Sequence, residues 1–340
     1  MFAPFLGEIL AGLGAKSLKT LGSEYHLVQL DDPTAWQQTD AAKFVRWNLP
    51  VHHAWPCNPQ KMEGFVEKAA QAIHRKFAGA QPQALFIGQL DPGAPHKYYK
   101  TLASNLRGRT LQLFPALAGS PDVEAQDANA PTLFCLVGKE GLFCGVQSPK
   151  ASNGFFPGGT KYISQSAPGT ISRAGAKIAE ALHYLPLHHP PLPEGSHWLE
   201  LGASPGGMTS ELLRRGFRVT AVDRAPLDPR LDRAEHLSFV HGDAASFSPP
   251  SGTTYDALLS DLNGEARDSL GYVIRLSRQL RRGGLVVFTL KMPNVTTLGE
   301  ANALFDQIEY TADQAKLDLF ARTHLTYNRQ ELTLFFEKRA

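Results

Sequence analysis

The sequence contains few cysteines. Its 340 residues include only three, Cys57, Cys135 and Cys144, and no two of them form a CxxC pair. Zinc ribbons and disulfide scaffolds need closely spaced or even-numbered sets of cysteines, so both classes are disfavoured and a reducing compartment suits the chain. The adjacent histidines of His52–His53 and His188–His189 point apart on a strand or helix, so we predict no metal site.

The sequence also lacks long apolar runs and a strong excess of one charge. No apolar run approaches the length of a membrane span, and no basic segment leads into a long apolar stretch near the start. We therefore expect a cytoplasmic protein without a membrane partner. The 34 Lys and Arg residues exceed the 32 Asp and Glu residues by only two, so any surface for nucleic acid must be a local basic patch.

A change in composition divides the chain near its middle. Residues 153–171 are rich in Gly, Pro, Ser and aromatic residues, which is typical of a connector. We predict an α+β region over residues 1–152, a connector over residues 153–171 and a second domain over residues 172–340.

The second domain alternates short apolar runs with helical patterns. This alternation predicts a doubly wound α/β sheet, the arrangement of class I methyltransferases. Only the short segment Thr326–Gln330 joins the last two predicted strands, so these strands must be antiparallel. The predicted strands are His197–Gly202, Arg218–Asp223, Leu237–His241, Asp256–Asp261, Gly284–Lys291, Leu317–Leu325 and Glu331–Lys338. The predicted helices are Ser172–Tyr184, Asp268–Leu280 and Gly299–Ala315.

The first region has a mixed pattern, with a hairpin expected around Lys139–Gly141. Helices are predicted at Phe5–Leu13, Pro59–Phe77 and Lys97–Leu106. Strands are predicted at Tyr25–Gln29, Gln83–Gln89, Thr132–Gly138 and Leu142–Gln147.

The sharpest local signal is the segment WLELGASPGG, Trp198–Gly207. An apolar strand ends at Gly202, and Ser204 and Pro205 suit the N-cap and first position of the helix that follows. The amides of residues 206–208 would then face a ligand, because a helix N-terminus with free amides binds anions. We predict a cofactor-binding turn made of Gly202, Ala203, Ser204, Pro205, Gly206, Gly207 and Met208.

Two aspartates extend this cofactor site. Asp223 ends the next strand, where a carboxylate binds vicinal ribose hydroxyls, and Asp243 follows the third strand, where it can accept from an adenine amine. A nicotinamide dinucleotide would need glycine where Ser204 and Pro205 stand, whereas the carboxylate of S-adenosylmethionine needs less room. The pattern favours S-adenosylmethionine, with a Rossmann oxidoreductase as the alternative.

Four charged residues are predicted to converge at one edge of the sheet. Asp261 and Lys291 end the fourth and fifth strands, and ligands of doubly wound sheets lie outside these carboxyl ends. Glu331 opens the antiparallel last strand and so lies at the same edge. Lys177, on the helix before the first strand, can lie over the same edge of the sheet. Glu180 is expected on the solvent face of that helix.

Two lysines and two carboxylates suit transfer of a methyl group to a hydroxyl. A hydroxyl is a poor nucleophile until a general base removes its proton. A lysine can be that base where burial and a second nearby cation favour its neutral form. The carboxylates can orient the amines, and alignment of oxygen, methyl and sulfur supplies most of the rate.

At these motifs the sequence resembles the FtsJ-like RNA 2′-O-methyltransferases. The motifs are SRAGAKIAEAL, ELGASPGGMTSELLRRGFRVTAVD, LLSDLNG, LKMPN and NRQELTLFF, in that order. The chain is most similar to the RlmM type, which methylates a cytidine ribose in large-subunit ribosomal RNA, and the similarity runs from about Thr132 to the end. The resemblance implies a catalytic tetrad of Lys177, Asp261, Lys291 and Glu331, with Lys291 as the base.

The resemblance also implies partners and a first domain. S-adenosylmethionine would be surrounded by Gly202, Ser204, Asp223, Asp243 and Asp261, and RNA would be the substrate. Relatives carry an amino-terminal THUMP-containing, ferredoxin-like RNA-binding region, which Met1–Gln147 could be. One departure from the family pattern and one alternative interpretation bear on this expectation. Met208 stands where the family usually has tryptophan. The non-enzymatic alternative is an RNA-binding protein with a degenerate methyltransferase domain, which the intact tetrad disfavours.

A basic segment of the first region is a candidate RNA contact. The segment HKYYKTLASNLRGR, His96–Arg109, places Lys and Arg beside Tyr98 and Tyr99. Cations that pair with phosphates and rings that stack on bases are the usual parts of RNA-binding surfaces. A solvated amphipathic helix is the alternative interpretation.

Overall fold

The computed structural model describes residues 3–22, 24–59, 61–91, 97–117, 123–164 and 169–339. The chain forms two compact units, which divide between Tyr162 and Ile163, inside the predicted connector. The first unit is Leu10–Tyr162 with Pro186–His189. The second unit contains the rest of the chain from Ile163 onwards, together with the described residues up to Ile9.

The placement of these early residues differs from the prediction, which grouped them with the first region. The Glu8 carboxylate accepts a hydrogen bond from the Leu298 amide at 2.9 Å. A contact between residues so far apart in sequence leaves no trace in a local pattern. The assignment of residues 3–9 to the first region was therefore wrong.

The first unit combines a two-stranded and a four-stranded sheet. The helix α1 (Leu6–Gly12) leads into this unit. The elements that follow are β1 (Ala15–Leu21), β2 (Tyr25–Leu30), β3 (His53–Trp55), α2 (Met62–Phe77), β4 (Ala84–Gln89), α3 (Tyr98–Leu113), β5 (Thr132–Gly138), β6 (Gly141–Gln147) and α4 (Pro149–Ser152). The predicted helices and strands of this region are all present. The sequence pattern missed β1, because its residues are mostly exposed and show no apolar alternation, and β3, which has only three residues.

The four-stranded sheet has the order β3-β6-β5-β4. β4 and β5 are parallel neighbours, whereas β5 and β6, and β6 and β3, are antiparallel. A ferredoxin-like fold has the element order β-α-β-β-α-β, and the observed order from β3 to β6 is β-α-β-α-β-β. The element order of this sheet therefore differs from the ferredoxin-like order, because α3 forms a parallel crossover between β4 and β5.

The main core of the first unit lies between this sheet and the helices α2 and α3. Ile73 from α2, Leu102 from α3 and Leu133 from β5 are fully buried in it. The three cysteines are free thiols in the same core, and Cys135 and Cys144 are directly opposed across β5 and β6.

The second unit is a seven-stranded sheet with helices between its strands. Its elements are α5 (Ala174–Tyr184), β7 (His197–Leu201), α6 (Gly207–Arg214), β8 (Arg218–Asp223), β9 (Leu237–His241), β10 (Tyr255–Ser260), α7 (Ala266–Ser277), β11 (Leu280–Lys291), α8 (Leu298–Gln314), β12 (Leu317–Thr323) and β13 (Glu331–Lys338). The strand order is β12-β13-β11-β10-β7-β8-β9. All neighbours are parallel except for β13, which runs antiparallel to β11 and β12. The predicted class I methyltransferase fold is confirmed for this unit.

The position of the site follows from this strand order. From β7 the chain proceeds outward to β8 and β9, and then returns to β10 on the other side of β7. A crevice opens outside the carboxyl ends of strands at such a reversal, and ligands of doubly wound sheets bind there. Gly202 and Asp261 follow directly after β7 and β10, so they mark the two sides of this crevice.

Candidate active site

The turn after β7 is shaped by close backbone approaches. Gly202 has φ of +80°, and a Cβ at this position would lie 3.2 Å from the backbone nitrogen of Leu262. At Gly207, a Cβ would overlap the Ser172 hydroxyl. Both glycines are therefore required by the packing of this turn against its neighbours, quite apart from any ligand.

The start of helix α6 differs from the prediction. The helix begins at Gly207, and its N-cap is Gly206, with φ of +104° and no side-chain cap. Ser204 was predicted as the N-cap, but its hydroxyl donates to the Pro226 carbonyl at 2.9 Å. Pro205 therefore precedes the helix, and the Gly206 amide, which was predicted to be free, donates to the Ala203 carbonyl at 2.7 Å. Ala203 and Met208 are both buried, so Met208 packs into the protein interior.

The two predicted cofactor aspartates differ in how they are held. Asp223 accepts backbone hydrogen bonds from Ser204 at 2.9 Å and Ala225 at 2.8 Å, which fixes its carboxylate beside the turn. Asp243 accepts from the Ala245 amide at 2.9 Å and lies 3.8 Å from Arg224, with about half of its side chain exposed. Each carboxylate oxygen has two lone pairs, so both residues keep capacity for a ligand's donors.

Glu200 is a buried acid that the sequence interpretation passed over. It lies on β7 beneath the turn, is 1% exposed, and accepts from the Thr209 hydroxyl at 2.7 Å. The pKa of Glu200 is raised to about 8, mainly by burial; the Thr209 hydrogen bonds oppose this rise, and the Asp261 and Asp223 carboxylates contribute to it. An acidic residue inside an otherwise apolar strand, WLELG, was the available signal.

The structure brings the four predicted tetrad residues together. Lys177 donates to Glu331 Oε2 at 2.8 Å and lies 3.6 Å from Asp261 Oδ2. The Lys291 ammonium lies 3.2 Å from Asp261 Oδ1. Asp261 therefore stands between two lysines and pairs with one on each of its oxygens. All four side chains are between 13% and 19% exposed, so a substrate can reach them while most bulk water is excluded.

Two backbone pairings fix the relative positions of residues in this cluster. Lys291 and Glu331 are directly paired across the antiparallel strands β11 and β13. The Asp261 amide donates to the Leu201 carbonyl at 3.2 Å, which joins the end of β10 to the end of β7.

Lys291 also donates to the Asn263 side chain at 2.8 Å and to the Asp261 carbonyl at 3.2 Å. Asn263 belongs to this cluster and was not predicted, although it lies within the quoted LLSDLNG motif.

Glu180 corrects another expectation. It was expected on the solvent face of its helix, but it is fully buried and accepts a hydrogen bond from the Thr326 amide at 2.8 Å. The loop that carries Thr326 leads into β13, so Glu180 helps to hold the start of the strand that carries Glu331. The helix pattern did not show this because the covering loop comes from far along the chain.

The predicted RNA contact on the first unit is only partly open to solvent. Its first residue, His96, lies outside the described residues. Tyr99 packs against the core, and Arg109 forms an ion pair with Glu67 at 2.6 Å. Lys97, Lys100 and Arg107 are exposed.

The described part of the chain lacks two classes of feature. None of its helices combines the length and the apolar character needed to cross a membrane. Over the same residues, no cluster of His, Cys, Asp and Glu is arranged to hold a metal ion.

Comparison with known proteins places this site in a family. Residues 171–339 match a family of methyltransferase domains, and this part of the chain belongs to that family. The "Ribosomal RNA large subunit methyltransferase M" of Halorhodospira halophila is 32% identical over 173 residues, which are 50% of this chain and 48% of that protein. The protein of the same name from Shewanella loihica is 27% identical over 69% of this chain and 66% of its own length. The chain thus spans about half to two thirds of the length of these curated relatives.

One solved structure that this chain resembles distantly is an Aeropyrum pernix fibrillarin with bound S-adenosyl-L-methionine. It aligns with 63% of this chain and 85% of its own, at 17% identity and a TM-score of 0.37.

Proposed function

We propose that this methyltransferase moves a methyl group from S-adenosylmethionine to a ribose 2′-hydroxyl of RNA, in large-subunit ribosomal RNA. The observation that carries the proposal is the placement of Lys177 and Lys291 on opposite oxygens of Asp261, at the crevice beside the cofactor turn. The names of the curated relatives support ribosomal RNA as the substrate. Such a substrate implies that the protein acts in the cytoplasm, and that the first unit helps to bind RNA as a THUMP-like region.

The residues at the crevice fit S-adenosylmethionine. The first amides of α6 have no intrahelical acceptor, so those of Gly207 and Met208 can bind the methionine carboxylate. Asp223 would accept from the ribose hydroxyls and Asp243 from the adenine amine, while Gly202 lets the cofactor approach the backbone. The cofactor supplies an electrophilic methyl group on a sulfonium. A nicotinamide cofactor fits less well, since Ser204 and Pro205 occupy the place where a pyrophosphate would meet the backbone.

Lys291 is the group that we assign as general base. A neutral amine has two N–H donors and one lone pair, and the Lys291 nitrogen donates to two acceptors, the Asp261 carbonyl at 3.2 Å and the Asn263 side chain at 2.8 Å, with the Asp261 carboxylate beside it as an ion-pair partner. As a base, Lys291 can therefore keep both hydrogen bonds and turn its lone pair to the substrate. With the cofactor bound, Lys291 would take the proton of the 2′-hydroxyl as that oxygen accepts the methyl group that the cofactor supplies.

The other three residues position the base and its substrate. Glu331 holds Lys177 at 2.8 Å, which leaves Lys177 as a fixed positive charge beside Asp261. Asp261 keeps the two amines apart by pairing with one on each oxygen. This division of tasks is the one that a hydroxyl methyltransferase needs.

The test is methyl transfer to ribosomal RNA from cells that lack this gene. Wild-type protein should restore one 2′-O-methyl site in large-subunit RNA, mapped by resistance of that linkage to alkaline cleavage. Lys291→Ala should slow single-turnover transfer by roughly 10²- to 10⁴-fold, and Lys291→Arg should be about as slow, because a guanidinium cannot accept a proton near neutrality.

Calorimetry with S-adenosylmethionine provides the control, since both Lys291 variants should bind the cofactor nearly as well as wild type. Near-normal transfer by Lys291→Ala would refute the assignment of the base. Transfer of methyl groups to nitrogen or carbon of a base, rather than to ribose, would refute the proposed acceptor.

A further inference from the structure

A cavity of about 370 Å³ is lined in part by Lys291. It lies within the second unit, between the start of α7, the segment after β11 and one face of α8. Its volume falls in the range of roughly 300–1,000 Å³ that small-molecule sites occupy. Because Lys291 is one of its walls, whatever fills this cavity lies next to the group that we assign as the base.

Part of the cavity lining is apolar. Ala266 and Met292 are buried, and Val295 and Leu304 are half-buried. Flat aromatic groups such as nucleobases gain free energy when such surfaces remove them from water. The cavity is therefore suited to a planar, uncharged ring.

The rim of the cavity is polar and carries free donors. The side chains of Arg267, Asn294 and Gln307 are exposed at the cavity, and no hydrogen bond or ion pair occupies them within the described parts of the chain. Two carboxylates also line it. Glu300 is engaged with the amides of Thr296 and Thr297 in the capping box of α8, and Glu265 lies more than 4 Å from any basic nitrogen of a described residue. An unpaired guanidinium at the rim suits a phosphate, which it can bind through two parallel hydrogen bonds.

We infer that this cavity receives the acceptor nucleotide, with its base against Val295 and Leu304 and a flanking phosphate on Arg267. This inference rests on the proposed function and adds the substrate's binding site to it. RNA is read mainly where unpaired bases can leave the helix and be held by apolar surfaces and edge-on hydrogen bonds. Asn294 and Gln307 each supply both a donor and an acceptor for a base edge. A base held here keeps its own ribose at the mouth, beside Lys291.

The inference is tested with two variants and a matched control. Arg267→Gln removes the phosphate contact, and it should raise the KM for unmethylated ribosomal RNA roughly ten- to hundredfold, with kcat little changed. Ala303→Trp places a large ring into the cavity from the exposed face of α8, and it should abolish transfer. The control is Arg282→Gln, an exposed arginine at the opposite end of β11 from Lys291, which should leave transfer unchanged.

Binding of S-adenosylmethionine and the melting temperature are measured for all three variants, so that damage to the cofactor site or the fold is recognised. Unchanged KM in Arg267→Gln, together with wild-type transfer by a folded Ala303→Trp, would overturn the inference and leave the proposed function standing. A wild-type protein that binds the cofactor but methylates no RNA would overturn the proposed function, and the acceptor site with it.

Discussion

The two units each contain a buried sheet, but among the described residues only the second unit gathers charged side chains at a single edge. In the second unit, parallel β7, β10 and β11 end together, so the residues that follow them meet at the crevice. In the first unit, β6 runs antiparallel to both of its neighbours, β5 and β3, and only β4 and β5 are parallel, so fewer strands end at the same edge. Strand direction therefore helps to decide where polar residues converge.

The buried titratable groups of the two units show the same contrast. The first unit buries thiols, and burial raises the pKa of Cys57 to about 11, so this thiol stays neutral and packs as a small apolar side chain. The second unit buries a carboxyl, Glu200, directly below the cofactor turn. Burying a carboxyl costs far more free energy than burying a thiol. The burial of Glu200 directly below the crevice therefore indicates that the crevice is the functional site.

The largest effect is expected from removing the shared anion of the tetrad. Asp261→Asn takes the negative charge from between Lys177 and Lys291, and transfer should fall by roughly 10²- to 10³-fold, the usual loss when one preorganised electrostatic group is removed. Single-turnover assays on ribosomal RNA measure it, with Cys135→Ala in the first unit as the comparison. Equal slowing by Asp261→Asn and Cys135→Ala would contradict the prediction that the sheet of the second unit carries the reaction and the sheet of the first unit does not.

An intermediate effect is expected from opening a cavity in each core. Leu133 on β5 and Leu199 on β7 are both fully buried, so Leu133→Ala and Leu199→Ala should each cost about 2–5 kcal/mol of unfolding free energy. Only Leu199→Ala should also weaken S-adenosylmethionine binding, because β7 leads into the cofactor turn. Denaturant unfolding and calorimetry measure the two properties. A Leu133→Ala protein with equally weakened cofactor binding would show that the two units do not act separately.

The smallest effect concerns Glu200 and pH. Its pKa is raised from 4.5 to about 8 in the folded protein, so the folded state holds a proton that the unfolded state releases between these values. The contribution of Glu200 to stability is therefore fully present below about pH 4.5 and is lost as the pH rises through 8. Glu200→Gln cannot ionise and should remove this slope, so the variant gains on wild type between pH 5 and 9.

Denaturant midpoints of the cofactor-free proteins across that pH range give the measurement. Glutamine keeps an oxygen to accept the Thr209 hydrogen bond, which makes it the appropriate replacement. Parallel pH profiles for wild type and Glu200→Gln would show that Glu200 ionises normally in the folded protein.

Much of the second unit could be read from local pattern. The strands β8, β9 and β13 have the predicted bounds, because each is a short run of mostly apolar residues between turn-forming or charged residues. The convergence of Lys177, Asp261, Lys291 and Glu331 also followed from the order of elements. Strand β11 starts four residues earlier than predicted, because its first residues pair with β10 through an irregular register.

Other features depended on contacts between distant parts of the chain. The role of Ser204 was decided by the carbonyl of Pro226 in a later loop, and the burial of Glu180 by the loop before β13. The strand order of the first unit and the cavity beside Lys291 likewise have no local signature. Short-range periodicity records which face of an element is apolar. Which partner covers that face, and which donors stay free around it, is settled only when the whole chain packs.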